Sequence, residues 1–590
     1  MSSVLTPVRL AWLKRAATLA VAAWLAFAIA SLLHVEHAFW AAMPTWVLAQ
    51  SSRGLVIERA LFRLLGTLIG AGVGLLILAL PLPADAKCVL LALWIGAQAG
   101  LTHLMRGASS YLALMAGITA SVVLIPALVS GVDSTEIALA RVECTVIGVI
   151  VASIVLAALT PASPISELYA QIDHLAQRAQ QLAASFFAPV PPKDQALPQL
   201  LADLGALDAR TRLAVAGSLG GYQRMPEVDH LLVSCLDLLA AAQALRQAGL
   251  QPPTGILPQI AQTTLPPAPA SHPALQRLRE AQQSLMAHPG KPQKHASANP
   301  LLALAPHREW AQALRQALFA AGVAFAALAI ARFTHWPELE LLALGMCTFV
   351  LVLGSVPDPR ALAPKLAIGV SCGALLGMIY RLGLQPLVHD PLTLVLSVVP
   401  FVIIGSLLRA HPRTAIPAVD VNMCFWLGSQ AGQSAQPDAI RIIFESGALA
   451  VAAALIAGLF LVWPTYRQRL SREALGTLRR DLLRILDIPA AQAKTLWNTN
   501  QRSQILRLAL HLARSPALGK HWPVALLECL NLAHGLITMK PEDAAARARI
   551  SAYLTGDMPF STLTQQCDRE ANPDLARAIQ GAAPLLEKAV

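Results

Sequence analysis

Residues 59–74 read RALFRLLGTLIGAGVG and residues 366–377 read LAIGVSCGALLG. In both, glycine returns at every fourth position of an apolar helix: Gly66, Gly70 and Gly74 in the first, Gly369, Gly373 and Gly377 in the second. That spacing leaves one helix face bare, so a second backbone can approach closely where lipid removes any hydrophobic drive between helices. Each ladder sits in the same context: an apolar stretch opening after Arg15 or Arg315, a segment led by Trp40 or Trp336, then the glycine helix. The pattern predicts a membrane protein made of two related halves, with the ladders as helix-packing faces.

Composition agrees. With 55% hydrophobic and 13% charged residues and a mean hydropathy of +0.55, the 590-residue chain falls well short of the roughly 25% charge of a soluble protein. The eight cysteines are scattered without a C-x-x-C pair, which suggests neither a disulfide framework nor a metal site. A net charge of +11 raises the possibility of nucleic acid, but the basic residues gather at the ends of apolar segments, where membrane topology accounts for them. No partner among nucleic acids is therefore expected.

A spanning helix needs about 20 apolar residues. Six such stretches occupy about 16–34, 38–50, 60–80, 88–105, 110–130 and 142–160, and six more about 311–331, 337–354, 363–383, 391–408, 415–431 and 442–463. The first has no small-residue cleavage site and reads as a retained span. The second and eleventh are short or interrupted by Pro44, Pro417, Asp420 and Asn422, which predicts broken or unwound helices there. Threading the chain with its N-terminus inside puts Arg15, Arg53, Arg59, Arg106, Arg360, Arg409 and Arg413 on the cytoplasmic side, and only Lys87, Arg141, Arg332, Arg381 and Arg441 near the outer one. The asymmetry is the positive-inside pattern and predicts that both termini are cytoplasmic.

Polar blocks follow each apolar one. Apolar residues at helical spacing in 165–187, 227–248, 470–486 and 525–539 predict small helical bundles, with Pro- and Gln-rich loops over 251–273 and 289–300. The expected architecture is an all-α integral membrane protein of two repeated six-helix transmembrane halves (1–163 and 308–465), each followed by a helical cytoplasmic domain (164–307 and 466–590).

Few residues carry chemistry. Asp420, with Asn422 two positions on, lies inside an apolar run, where a carboxylate is costly unless it faces a cavity or a partner; the pair is the candidate for proton coupling, the alternative being a helix cap. Arg63, Arg106, Arg409 and Arg413 form a candidate cationic mouth suited to carboxylates, or else serve as snorkelling anchors. Gln98 and His103 in the fourth span are candidate pathway residues. Arg141 with Glu143, and Arg441 with Glu445, are candidate gates or structural ion pairs; the second pair shares a helix face at i, i+4 and the first does not. His34, Glu36 and His37 lack a third fixed metal ligand, and Trp40, Trp46, Trp336 and Trp426 read as interfacial anchors, with stacking on an aromatic substrate the alternative for one or two of them. No nucleotide-binding loop, nucleophile elbow or cofactor motif occurs, so neither an enzyme nor a cofactor is expected, and uphill transport must draw on an ion gradient or a partner.

Trp40-x-x-x-Pro44-Thr45, then Gly54-x-x-x-x-Arg59-x-x-x-Arg63-x-x-Gly66-Thr67-x-x-Gly70, then Arg141-x-Glu143-x-x-x-x-Gly148, resembles the FUSC family of fusaric acid resistance and aromatic acid exporter proteins of bacterial inner membranes. Trp336, the Gly369 ladder and Arg441-x-x-x-Glu445-x-Gly447 are similar to that family's second membrane half. The resemblance implies proton-driven export (antiport) of small aromatic carboxylic acids, sometimes with a periplasmic adaptor protein and an outer-membrane channel. It also implies kinship with plant aluminium-activated malate channels, whose units pair as dimers. Proton-coupled efflux of fusaric-acid-like or hydroxybenzoate-like acids is thus the expected function, with a passive organic-anion channel and a non-transporting scaffold as the alternatives.

Overall fold

The computed structural model describes residues 7–50, 53–105, 107–131, 134–159, 165–188, 194–214, 219–257, 265–286, 310–334, 336, 339–356, 358–462, 466–490, 492–493, 497, 505–506, 508–509, 512, 521–539, 543–566 and 573–587. Among them the protein is helical, and the single β contact is an isolated bridge between Gln251 and Pro267. The chain divides into two units, one holding 1–163 and 298–464 with residues 216–218, the other holding 164–215, 219–297 and 465–590.

The first unit contains both apolar blocks. Its first half runs α1 (Pro7–Leu32), α2 (Met43–Leu48), α3 (Arg53–Ala79), α4 (Ala84–Leu104), α5 (Ser110–Val129) and α6 (Ser134–Leu159). After helices α7 (Ile165–Ser185), α8 (Ala196–Ala214), α9 (Leu219–Gln247) and α10 (Pro273–Met286) of the other unit, its second half runs α11 (Trp310–Thr334), α12 (Leu339–Gly354), α13 (Pro359–Ile379), α14 (Pro391–Ser397), α15 (Val399–Ala410), α16 (Pro417–Ser429) and α17 (Ala439–Val462). Nine of the described helical segments are long and apolar enough to cross a membrane. The remaining three expected spans are shorter helices at the expected places: Ala38–Leu48, Leu339–Gly354 and α16.

The second span is broken as the sequence suggests: a 3-10 turn at Ala38–Ala41 precedes α2, whose first turn carries Pro44. Proline there has no intrahelical N–H bond to lose and a φ already suited to the helix. The eleventh span behaves differently. Pro417 opens α16 in the same way, but the helix then runs unbroken to Ser429 through Asp420 and Asn422. Pro400 divides the tenth span into α14 and α15, since a proline can donate nothing to the preceding turn.

In the second unit the amphipathic stretches are helices: α7, α9, α18 (Tyr466–Asp487) and Trp522–Thr538. The two polar blocks do not build separate cores. Leu232, Leu236 and Leu239 of α9 belong to the same buried cluster as Leu526, Leu530 and Ala533, and Arg277 of α10 donates to Asn531 Oδ1 at 2.9 Å. Each block is rich in helices with one apolar stripe, and pooling the stripes buries them more completely than either block can alone. The loop expected at 289–300 lies outside the described residues.

Candidate functional site

The glycine ladders position the site. A Cβ on Gly66 would meet Leu112 O and Met115 Cβ; on Gly70, Ala116 O and Thr119 Cβ; on Gly74, Val123. In the second half the corresponding neighbours of Gly369, Gly373 and Gly377 are Pro417 O with Asp420 Cβ, Val421 O with Cys424 Cβ, and Gly428. Thus α3 lies directly against α5, and α13 against α16, with side chains displaced by backbone contact. The two arrangements match residue for residue, and the match sets Asp420 in the place of Met115. By the same register, Arg63 on α3 has Leu366 as its counterpart on α13. The halves share a scaffold but carry different charges.

Those charges meet in a cavity of about 220 Å³ between the two halves. The first half contributes Trp40, Met43, Val47, Arg63, Tyr111, Met115 and Arg141, and the second contributes Phe349, Val419, Asp420, Met423 and Leu427, among others. Arg63 is fully buried: Nη1 donates to Tyr111 Oη at 2.7 Å and approaches Met115 Sδ at 3.4 Å, while Nε has no hydrogen-bond partner among the described residues. Arg141 is buried as well, its guanidinium 5.2 Å from the Trp40 ring centroid and its Nη1 3.9 Å from Met43 Sδ, with Nε again unpartnered. Among the described residues neither arginine has a carboxylate within ion-pair distance, and Asp420 accepts no hydrogen bond. Buried guanidinium groups are ordinarily paired. Here aromatic faces, sulfur and a phenol hydroxyl hold them in place without neutralising them, which leaves their donors for an anion.

Other expected site residues lie elsewhere. Asn422 is buried facing α15, where Nδ2 donates to Gly405 O at 3.1 Å, and the same nitrogen donates to Ala418 O of its own helix at 2.6 Å. Two positions along a helix turn a side chain to the far face, so Asp420 and Asn422 cannot work on one site. Arg409 bonds the carbonyls of Trp46, Ala49 and Ala415, each at 3.4 Å, capping the end of α2, and Arg413 is exposed. Arg106 lies outside the described residues. Gln98 packs on Gly117 of α5, and His103 bonds the backbone of Gly354; neither lines the cavity. Arg141 and Glu143 are apart, since Glu143 faces an exposed cleft with Glu36 and Glu136. Arg441 and Glu445 do pair, at 3.0 Å, and Glu445 also takes Arg381, a buried residue of a π-helical turn, at 2.6 Å. Trp46 and Trp426 are wholly buried in the short spans instead of anchoring at an interface, whereas Trp336 is exposed.

The sequence offers Arg141 as a gate or an ion-pair member, whereas the structure makes it the cavity's second cation, and no sequence pattern marks Tyr111, Met43 or Met115. The face was legible in one respect: Arg141 shares a helical stripe with Cys144, Thr145 and Gly148, all apolar or small, while Glu143 falls off it. Nothing in the sequence tells that sulfur and aromatic groups from distant segments converge on two guanidinium groups.

Neither a curated protein nor a solved structure matches the chain. The model of the fusaric acid resistance protein family matches residues 13–263 and 258–589. With two matched segments spanning nearly the full length, a multi-span helical membrane unit and a cavity between its halves, the chain is a multi-pass membrane protein of efflux-transporter type and belongs to the fusaric acid resistance protein family.

Proposed function

We propose that the protein exports single-ring aromatic carboxylic acids across a bacterial inner membrane in exchange for protons, with both termini cytoplasmic. The observation that carries this reading is the pair of buried arginines, Arg63 and Arg141, without a carboxylate partner among the described residues, sharing one apolar cavity with Asp420, which accepts no hydrogen bond among them. The cavity is smaller than the ~300–1,000 Å³ of pockets for drug-sized ligands, which favours one ring and one carboxylate. Trp40, Tyr111 and Phe349 offer the ring aromatic surface.

Charge balance suggests the cycle. Two arginines, ionised Asp420 and one bound carboxylate sum to zero, the state least costly to carry through lipid. Once the acid has left on the outer side, a proton on Asp420 leaves the empty cavity positive, the sign that an inside-negative potential draws inward. Differential stability of these two states in two conformations then couples acid exit to proton entry.

Efflux of labelled benzoate from proteoliposomes under an imposed pH gradient tests the reading. The unmodified protein should accelerate efflux when the far side is acidic, Asp420→Asn should lose that response, and Arg63→Gln should lose saturable transport altogether. A passive channel would keep conducting after Asp420→Asn; absence of any acid flux from the unmodified protein would favour a scaffold.

A further inference from the structure

Arg59 stands one turn before Arg63 on α3, on the same flank of the helix. Its guanidinium lies 5.8 Å from the ring centroid of Tyr111, whose hydroxyl is the acceptor for Arg63. Tyr111 thus separates two cations, touching one through its ring and the other through its oxygen. Like Arg63 and Arg141, Arg59 has an Nε buried without a hydrogen-bond partner, and it has no carboxylate within ion-pair distance among the described residues.

Arg409 closes in from the other half. Its bonds to the Trp46 and Ala49 carbonyls fix it at the end of α2, within a turn of Val47, which lines the cavity, and a third ties it to Ala415 before α16. The like charges of Arg15 and Arg59 act on it. Alternation of the helices brings the starts of α1, α3 and α5 and the ends of α2 and α15 to one end of the membrane unit. Arg15 is exposed at that end, Arg59 and Arg409 are half-buried, and Arg63 and Arg141 are buried. A series of cations of increasing burial therefore leads from one membrane face to the cavity. Packing like charges together is costly unless an anion joins them.

We propose that Arg59 and Arg409 form a first anion-binding station on the cytoplasmic side of the cavity, partitioned from it by Tyr111, where a carboxylate is captured before Arg63 takes it from the phenol side. This rests on the cavity being the acid site. A carboxylate held by guanidinium makes a charge-assisted bond about twice as strong as a neutral one, so an acid arriving at Arg59 competes well against the Tyr111 hydroxyl for Arg63. A capture station at the rim governs how readily the anion arrives and how strongly salt weakens that step, and leaves the later steps unchanged.

The test uses benzoate and the full-length protein in proteoliposomes of uniform orientation, at low and high ionic strength. Arg59→Gln should raise the half-saturating benzoate concentration by about tenfold at low salt, keep the maximal rate, and lose most of the salt dependence. Arg59→Lys keeps the charge that steers the anion to the rim, and should stay within about twofold of the unmodified protein. If Arg63→Gln abolishes transport while Arg59→Gln keeps the unmodified half-saturation at both salts, the first station is wrong and the cavity stands. A lowered maximal rate with unchanged half-saturation, or Arg59→Lys behaving as Arg59→Gln, also overturns the station. Transport unaffected by Arg63→Gln, or no transport of benzoate by the unmodified protein, overturns both.

Discussion

Asp420 stands where the other half has a methionine, and that single exchange gives the cavity its acid. That Asp420 faces a cavity was readable from the sequence, because a carboxylate inside an apolar run is costly without a cavity or a partner. Asn422 reads in the sequence as the second member of a polar pair with Asp420, and in the structure it bridges α16 and α15. A second buried carboxyl shows what the same physics does outside the membrane. Glu528 is 1% exposed and accepts from Asn531 at 3.3 Å. Burial pushes its carboxyl from an ordinary 4.5 up to about 7, against the pull of Asn531, Arg277 and Arg577 toward the ionised form. Because the folded value is the higher one, its contribution to stability is full below about 4.5 and is lost as pH rises toward 7. Glu528→Gln should therefore stabilise the polar unit at pH 8, by on the order of 3 kcal/mol, and have little effect at pH 4. Melting temperatures at the two pH values check this; equal shifts at both would contradict it.

The elements repeat with one exchange. In the first half Gln98 of α4 lies against Gly117 of α5; in the second, Asn422 of α16 lies against Gly405 of α15. Each half meets with one amide and one glycine, carried on opposite helices. The sequence showed the ladders that bring α3 to α5 and α13 to α16, because a four-residue glycine period is visible in one dimension, but it could not show these cross-helix pairs, which depend on register between segments. Gly405→Ala drives a methyl into the Asn422 amide and should destabilise the protein by about 1–3 kcal/mol, with Asn422→Ala in the double variant restoring part of the loss. A double variant no more stable than Gly405→Ala would remove Asn422 as the cause. A larger insult, Gly373→Leu, would push α13 off the Val421 carbonyl and should abolish transport as well as lower the melting temperature.

At the scale of the molecule, two sequence halves become two units by pooling like with like: apolar blocks with apolar, polar with polar. Hydropathy marks twelve apolar stretches, the weak second and eleventh among them, and the structure puts nine helices of spanning length and three shorter ones there. The shared polar core was not legible, since amphipathic stripes declare that they need cover without naming it. Cutting the chain between 297 and 298 should consequently leave two fragments that copurify, because each unit draws on both; fragments that separate in mild detergent would contradict the pooling.

The central claim is that acid and proton meet at Asp420, Arg63 and Arg141. The most direct test counts protons: proteoliposomes with an entrapped pH indicator, followed while labelled benzoate leaves. The account predicts that proton entry accompanies acid exit in the unmodified protein and that Asp420→Asn, still able to bind benzoate, moves none. Proton entry per acid unchanged in Asp420→Asn would contradict it.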